Sequence, residues 1–172
     1  MPEELLLQTP RFNVVRDSYQ TSSGQTKSRE IVRHPGAVVI VPRLADGSVC
    51  LIRNYRISVK QTLIELPAGG LAPGESPQAT AERELIEETG YRPGSMKLLH
   101  AFYLSPGILD ERMHLFLATD LQPGEPHREF GEEITNLVVP WDEAIGMIFR
   151  GEIQDAKTIA GLLYIHHLEQ AR

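Results

Sequence analysis

The chain has 172 residues, enough for one domain with a proper core. Its composition, 41% hydrophobic and 23% charged, is ordinary for a globular protein, and a net charge of −6 leaves no basic excess to neutralise a nucleic-acid backbone. Cys50 is the single cysteine and excludes an internal disulfide; no apolar run approaches a membrane span and residues 1–10 lack signal-peptide character, so a cytoplasmic protein with no membrane partner is expected.

Phe12–Tyr19 and Thr26–Val32 read as two strands joined by the turn-rich Thr21-Ser22-Ser23-Gly24. This hairpin is polar, with little core of its own, and His34-Pro35-Gly36 ends it. Ala37–Val41, Val49–Tyr55 and Thr62–Leu66 read as buried strands, with Asp46-Gly47 turning between the first two. Cys50 falls in this apolar run and reads as a small buried hydrophobe. A helix is expected over Pro77–Thr89. Ser76 suits its N-cap, Pro77 its first position and Gly90 its left-handed C-cap. Leu98–Tyr103 and His114–Ala118 read as strands around the Pro106-Gly107 loop, followed by a strand at Ile134–Val139. Trp141–Arg150 and Ala156–Gln170 read as helices, the second with Asp155 as N-cap. Mixed strands around one early helix, with helices at the end, suggest an α/β or α+β sandwich.

The run Gly69–Tyr91, GGLAPGESPQATAERELIEETGY, carries the chemistry. At 100° per residue Glu84, Glu87 and Glu88 stand on one helix face, with Ala79, Leu85 and Ile86 to the other side. Like charges at these spacings cost roughly 0.2–0.5 kcal/mol per pair. The helix C-terminus disfavours anions further. Arg83 offsets part of this through its i+4 neighbour Glu87, and a hard dication would offset the rest. An isolated acidic pair on a helix is ordinarily just solvated. Nine constrained positions together arise by chance with a probability on the order of 10⁻⁷ at average residue usage.

Those nine positions, Gly69, Glu75, Arg83, Glu84, Leu85, Glu87, Glu88, Gly90 and Tyr91, match the pattern G-x5-E-x7-R-E-U-x-E-E-x-G-U, with U apolar. The chain therefore resembles the Nudix hydrolases. The resemblance implies an α/β/α sandwich around a mixed sheet, and Mg²⁺ or Mn²⁺ as cofactor. It further implies metal ligands at Glu84, Glu87, Glu88 and the Ala68 carbonyl, with Glu87 and Arg83 also in the catalytic set. Arg83 would orient the neighbouring acids rather than touch substrate. For the loop Ala68-Gly69-Gly70 a simple tight turn is the alternative.

Further residues resemble the ADP-ribose pyrophosphatase subgroup. Asn54-Tyr55-Arg56 precedes Glu65-Leu66-Pro67-Ala68-Gly69, as in that subgroup, making Arg56 the candidate for the diphosphate; the alternative is a solvated strand end. Pro106 lies 16 residues beyond Gly90, and Ser105-Pro106-Gly107 with Asp110-Glu111 resembles the SPG-x-x-DE pattern. Ser105, Pro106, Asp110 and Glu111 are thus expected near substrate, with Asp110 or Glu111 at ribose hydroxyls or merely solvated. The resemblance puts a general-base glutamate just before the Ile134 strand, best aligned at Glu132. Thr135 departs from the pattern, so Glu129 and Glu133 stay open. His166 and His167 fall on the last helix, away from the box, and no zinc spacing exists.

The activity these features imply is metal-dependent hydrolysis of ADP-ribose to AMP and ribose 5-phosphate. Another nucleoside diphosphate sugar such as GDP-mannose is the alternative, and an inactive nucleotide sensor a further one. The resemblance also implies a homodimer. Residues 1–35 would form its crossing N-terminal hairpin, with Arg11 and Phe12 stacking on the partner's substrate, and 36–172 the Nudix domain. A hairpin folded back on its own domain is the alternative.

Overall fold

The computed structural model describes residues 3–128, 131 and 133–171. Ten strands and three helices follow in the order β1 (Glu4–Gln8), β2 (Asn13–Gln20), β3 (Thr26–Arg33), β4 (Ala37–Pro42), β5 (Ser48–Arg56), β6 (Gln61–Glu65), β7 (Ala68–Gly70), α1 (Pro77–Thr89), β8 (Ser95–Tyr103), β9 (Arg112–Thr119), β10 (Ile134–Pro140), α2 (Trp141–Phe149) and α3 (Ala156–Gln170). They make three sheets, ordered β1-β2-β3, β10-β5-β6 and β7-β4-β9-β8. The β4–β9 pair is parallel; β4–β7 and β8–β9 are antiparallel.

Strand β4 explains the layering. All six of its residues are buried, so it has helices on both faces. Val39 and Val41 face a core with Leu51, Leu115, Trp141, Ile145 and Leu162, on the side of α2 and α3. Val38 and Ile40 face Ala81, Leu85 and Phe116, on the side of α1. Period-2 alternation thus sends one strand's side chains into two cores. Each fully buried Leu, Ile or Val is worth roughly 1.5–3 kcal/mol over its exposed state. The fold is the expected helix–sheet–helix sandwich on a mixed sheet.

Helix α1 begins and ends as its sequence dictates. Ser76 accepts from the Ala79 N–H at 3.2 Å, Pro77 stands first, and Gly90 takes φ of 82°. A Cβ at Gly90 would lie 2.3 Å from the Gly124 carbonyl oxygen, so glycine is required twice over. The buried positions are Thr80, Ala81, Leu85, Glu88 and Thr89, whereas Ala79 is exposed and Ile86 only half-buried. The expected apolar side of the helix is corrected accordingly: it is rotated so that a glutamate, Glu88, lies in the buried stripe.

Two strands were not legible from pattern. β7 has the sequence Ala-Gly-Gly, with no strand propensity, and exists because β4 offers its edge. β1, Glu-Leu-Leu-Leu-Gln, does not alternate, yet it pairs with β2 and turns the expected hairpin into a three-stranded sheet. That sheet is tied to the loop after β8. Val32 donates to the Ile108 carbonyl at 2.8 Å, and Asp110 donates its N–H to the Val32 carbonyl at 3.1 Å.

Candidate active site

The site forms where α1 crosses β7. Glu88, 5% exposed, accepts a hydrogen bond from the Ala68 N–H at 3.0 Å. Glu84 lies against Gly69: a Cβ there would meet the Glu84 carboxyl carbon at 1.9 Å. Only glycine lets the strand pass this close. The backbone of Ala68 and Gly69 therefore runs beside the two carboxylates that the sequence pairs at i and i+4.

Arg83 organises the remaining acids. Glu75 accepts from its Nε and Nη2 at 3.0 and 3.1 Å. Glu84 and Glu87 both accept from its Nη1 at 2.8 Å. These carboxylates, Glu75 first, hold the guanidinium well above its ordinary range, while Arg83 holds the Glu75 carboxyl below the usual value. Glu75 also accepts from the Thr80 hydroxyl at 2.9 Å. The expected Arg83–Glu87 pair is present, within a larger cluster.

Among the described residues no three acidic, histidine or cysteine side chains close around one point. The donor set nevertheless fits a hard divalent cation: Glu84, Glu87 and Glu88 supply carboxylate oxygens, the Ala68 carbonyl is on the adjoining strand, and the glycine cradle at Gly69 admits Glu84. The end of α1 is adapted to its anionic load. His127 donates its backbone N–H to the Glu87 carbonyl, the Arg128 Nε to the Glu88 carbonyl, and the Asn136 amide to the Thr89 carbonyl, at 2.9, 3.1 and 2.8 Å. These donors satisfy carbonyls that a helix terminus otherwise leaves open. Arg128 and Asn136 carry no sequence signal for this role, because it depends on His127-Arg128 and β10 meeting the helix end.

Arg56 belongs to a second ion cluster. Its Nε and Nη2 each donate to Glu65 at 2.7 Å. Glu65 is 1% exposed and also accepts from Lys157, whose ammonium reaches Asp155 at 2.9 Å. Burial alone would raise the Glu65 carboxyl, but Arg56 and Lys157 outweigh it and hold it below the usual carboxylate range. Arg56 is held above its ordinary value first by Glu65, with Glu88 and Asp155 adding to this. Sequence reading missed Glu65 and Lys157. One signal existed: a lysine in the first turn of α3 opposes the helix dipole and calls for an acidic partner.

The other expected substrate residues lie on two loops, β8–β9 and β1–β2. Ser105 accepts, through its carbonyl, from the N–H groups of Ile108 and Leu109. Pro106 and Asp110 line a cavity of about 430 Å³ with Tyr19, Arg29, Arg33 and Tyr103. Both Asp110 oxygens are engaged, one by the His34 N–H at 2.7 Å and one by Arg33 at 3.1 Å. Glu111 lies 3.7 Å from the His34 ring. Arg11 and Phe12 line a second cleft of about 400 Å³, with His34, Leu71 and Pro73. No box glutamate lines either cleft, while Leu71 and Pro73 of the box segment line the second. Glu132 and Glu129 lie outside the described residues; Glu133 is exposed, just before β10. Cys50 is fully buried, and burial pushes its thiol up to about 12.

The depressed Glu65 carboxyl predicts a pH dependence. A group whose folded value lies below its unfolded one stabilises fully above the unfolded value, about 4.3 for Glu, and loses this as pH falls through the folded value. Glu65→Gln is expected to cost about 2 kcal/mol at pH 7, less than for a fully buried pair, because it removes the carboxylate partner of a half-exposed Arg56 while Lys157 keeps Asp155. The difference from the unsubstituted chain should shrink as pH falls below about 4.3. Urea unfolding of both chains from pH 7 to 3 measures it, and a gap that stayed constant with pH would contradict the assignment.

Comparison with known proteins agrees with this geometry. The NUDIX domain model matches residues 32–162. The chain is 37% identical over 151 residues to an ADP-ribose pyrophosphatase of Bacillus subtilis, covering 87% of this chain and 82% of that one. It is 33% identical to a GDP-mannose pyrophosphatase of Citrobacter koseri, covering 81% and 82% of the two chains. A solved structure titled as an ADP compounds hydrolase superposes with a TM-score of 0.86 over 99% of this chain and 93% of that one, at 22% identity, which is a likeness of fold. With the box complete and its carboxylates set on the Ala68–Gly69 strand, the chain belongs to the NUDIX domain family.

Proposed function

We propose that the protein hydrolyses the diphosphate of ADP-ribose to AMP and ribose 5-phosphate, using a divalent cation. The observation that carries the reading is the placement of Glu84 and Glu88 on the backbone of Gly69 and Ala68. The relative named ADP-ribose pyrophosphatase supplies the substrate. Nudix hydrolases are generally dependent on a divalent metal; Mg²⁺ or Mn²⁺ is the finer assignment.

Glu84, Glu87, Glu88 and the Ala68 carbonyl would hold the cation. The chemistry it would supply there is polarisation of the diphosphate and a lowered pKa for a bound water. Arg83 keeps Glu84 and Glu87 oriented from one nitrogen, with Glu75 fixing Arg83 from the other side. Arg56 contacts a phosphate oxygen. Water oxygen bonds to phosphorus as the bridging P–O bond breaks, and the water proton passes to a glutamate before β10, assigned to Glu132 by the resemblance. Positioning and electrostatics supply most of the rate, as in other phosphoryl transfers.

GDP-mannose is the second reading, favoured by the relative of that name. A panel of ADP-ribose, GDP-mannose, diadenosine polyphosphates and nucleoside triphosphates with Mg²⁺ or Mn²⁺ decides between them. ADP-ribose is expected to show the highest kcat/KM; a triphosphate in first place would overturn the subgroup. Activity should vanish in excess chelator. Glu84→Gln and Glu88→Gln should each lose about 10²-fold in kcat while remaining folded, the loss of several kcal/mol of charge stabilisation being at stake.

We also infer a homodimer built on the N-terminal sheet. β1 is an edge strand whose Leu5, Leu6 and Leu7 are all exposed, and such an edge invites pairing with another chain. Arg11 and Phe12 line an open cleft beside the same sheet, where they could serve a partner's substrate. Sedimentation at micromolar concentration should give a dimer, and Leu5→Lys with Leu7→Lys should give a monomer of weakened substrate affinity. A fully active wild-type monomer would refute this.

A further inference from the structure

Four charged groups meet beneath the active site: Arg56 at the end of β5, Glu65 at the end of β6, and Asp155 and Lys157 at the start of α3. Glu65 is 1% exposed and Lys157 8%. Two cations face two carboxylates, so the cluster is neutral. Its burial is still costly, because desolvation of an ion commonly outweighs the attraction it gains inside a protein. A well-packed apolar set at these positions would stabilise the fold as well or better. Stability alone is thus a weak reason for the cluster, and its geometry offers another.

That geometry is directional. Glu65 takes the Nε and Nη2 side of Arg56 in a two-bond fork, each bond 2.7 Å. A fork on that edge fixes the guanidinium plane and leaves Nη1 outside the pair. The same Glu65 oxygen that meets Nη2 also meets Lys157. Lys157 in turn is held by Asp155 at 2.9 Å, and Asp155 is held by the Thr158 N–H at 3.0 Å and the Thr158 hydroxyl at 2.6 Å. The Thr158 hydroxyl oxygen accepts from the Leu66 N–H at 2.8 Å, fixing the residue that follows Glu65. Helix α3 thereby grips both the Glu65 side chain and the backbone leading to Ala68. The charge of Glu88, an acid of the box, adds to the raised value of Arg56.

We propose that Lys157 is a positioning residue for diphosphate recognition, holding Glu65 so that Arg56 presents its outer edge to a phosphate oxygen. This rests on the reading of the protein as a diphosphate hydrolase with Arg56 at the substrate. Without the ammonium, Glu65 keeps Arg56 as its one charged partner among the described residues and draws it inward, away from substrate. With it, the charge of Glu65 is divided between two cations and the fork stays where β5 delivers it. The effect falls on substrate binding rather than on the chemical step.

The test is a kinetic double-mutant cycle on the full chain. K157M is expected to raise KM for ADP-ribose about tenfold with kcat within about twofold, the signature of lost uniform binding. K157R, which keeps the charge, should return KM to within about threefold of wild type. In an R56Q background, K157M should add less than about twofold, because coupled residues are not additive. Should K157M be too unstable to purify, K157Q replaces it with the same expectations. An unchanged KM, a fall confined to kcat, or an equal rise in KM with and without Arg56 would each overturn the proposal. The wild-type chain separates this from the function itself. If it cleaves GDP-mannose in place of ADP-ribose, the cycle is run on GDP-mannose; if it cleaves no diphosphate, the function fails first.

Discussion

Helix α1 rests on a strand made of alanine and two glycines, and the rest of the site follows from that contact. The Glu84 carboxylate occupies the space where a Cβ of residue 69 would be. Glu88 reaches one residue back and accepts the Ala68 N–H. A carboxylate on a free backbone N–H is a charge-assisted bond, stronger than a neutral one. It also keeps a buried carboxylate partnered, which burial otherwise makes expensive. The contact sets the rotation of α1, and that rotation decides which face of the helix carries acids toward the strand and which packs Ala81 and Leu85 against β4.

Concentrating acids at a helix C-terminus is unfavourable, and the surrounding structure is arranged to offset it. Arg83 collects Glu75, Glu84 and Glu87. The loop before β10 sends donors from His127 and Arg128 to the last carbonyls, and β10 itself sends Asn136. On the opposite face, α3 ties down β6 and the approach to Ala68 through Thr158 and Lys157. The carbonyl of Ala68 and the carboxylates of α1 are thus held from both layers of the sandwich. Such two-sided support keeps these oxygens rigid, as a set proposed to hold a cation requires.

The N-terminal sheet stands apart in character. Its outer strand exposes leucines, and its charged residues pair across strands, with Arg16 between Glu4 and Glu30. It joins the body through Val32 and through Asp110, which clamps Arg33 and His34. The clamp gives the Ser105–Asp110 loop a structural duty beside the substrate role expected of it. A residue pattern that marks a subgroup can reflect such a tie as readily as a ligand contact.

Much was legible from sequence because it is local. Ser76, Pro77 and Gly90 bound α1 through their own backbone preferences, and the i, i+3, i+4 spacing of Glu84, Glu87 and Glu88 places them on one face by helix geometry alone. Ala37–Val41 was legible as a buried strand, and the structure buries it on both faces. Even the Arg83–Glu87 pair follows from i+4 spacing. What tertiary structure decided is everything that needs a partner distant in the chain. β7 is a strand only because β4 receives it, and β1 only because β2 does. Glu88 turned inward, against the expected division of α1, because Ala68 offered an N–H. Glu65 and Lys157, 92 positions apart, meet only once α3 has packed on the sheet. Local propensity acts through the residue's own backbone and its nearest neighbours. Long-range pairing depends on which elements the two cores bring together, and no window of sequence contains both halves of such a pair.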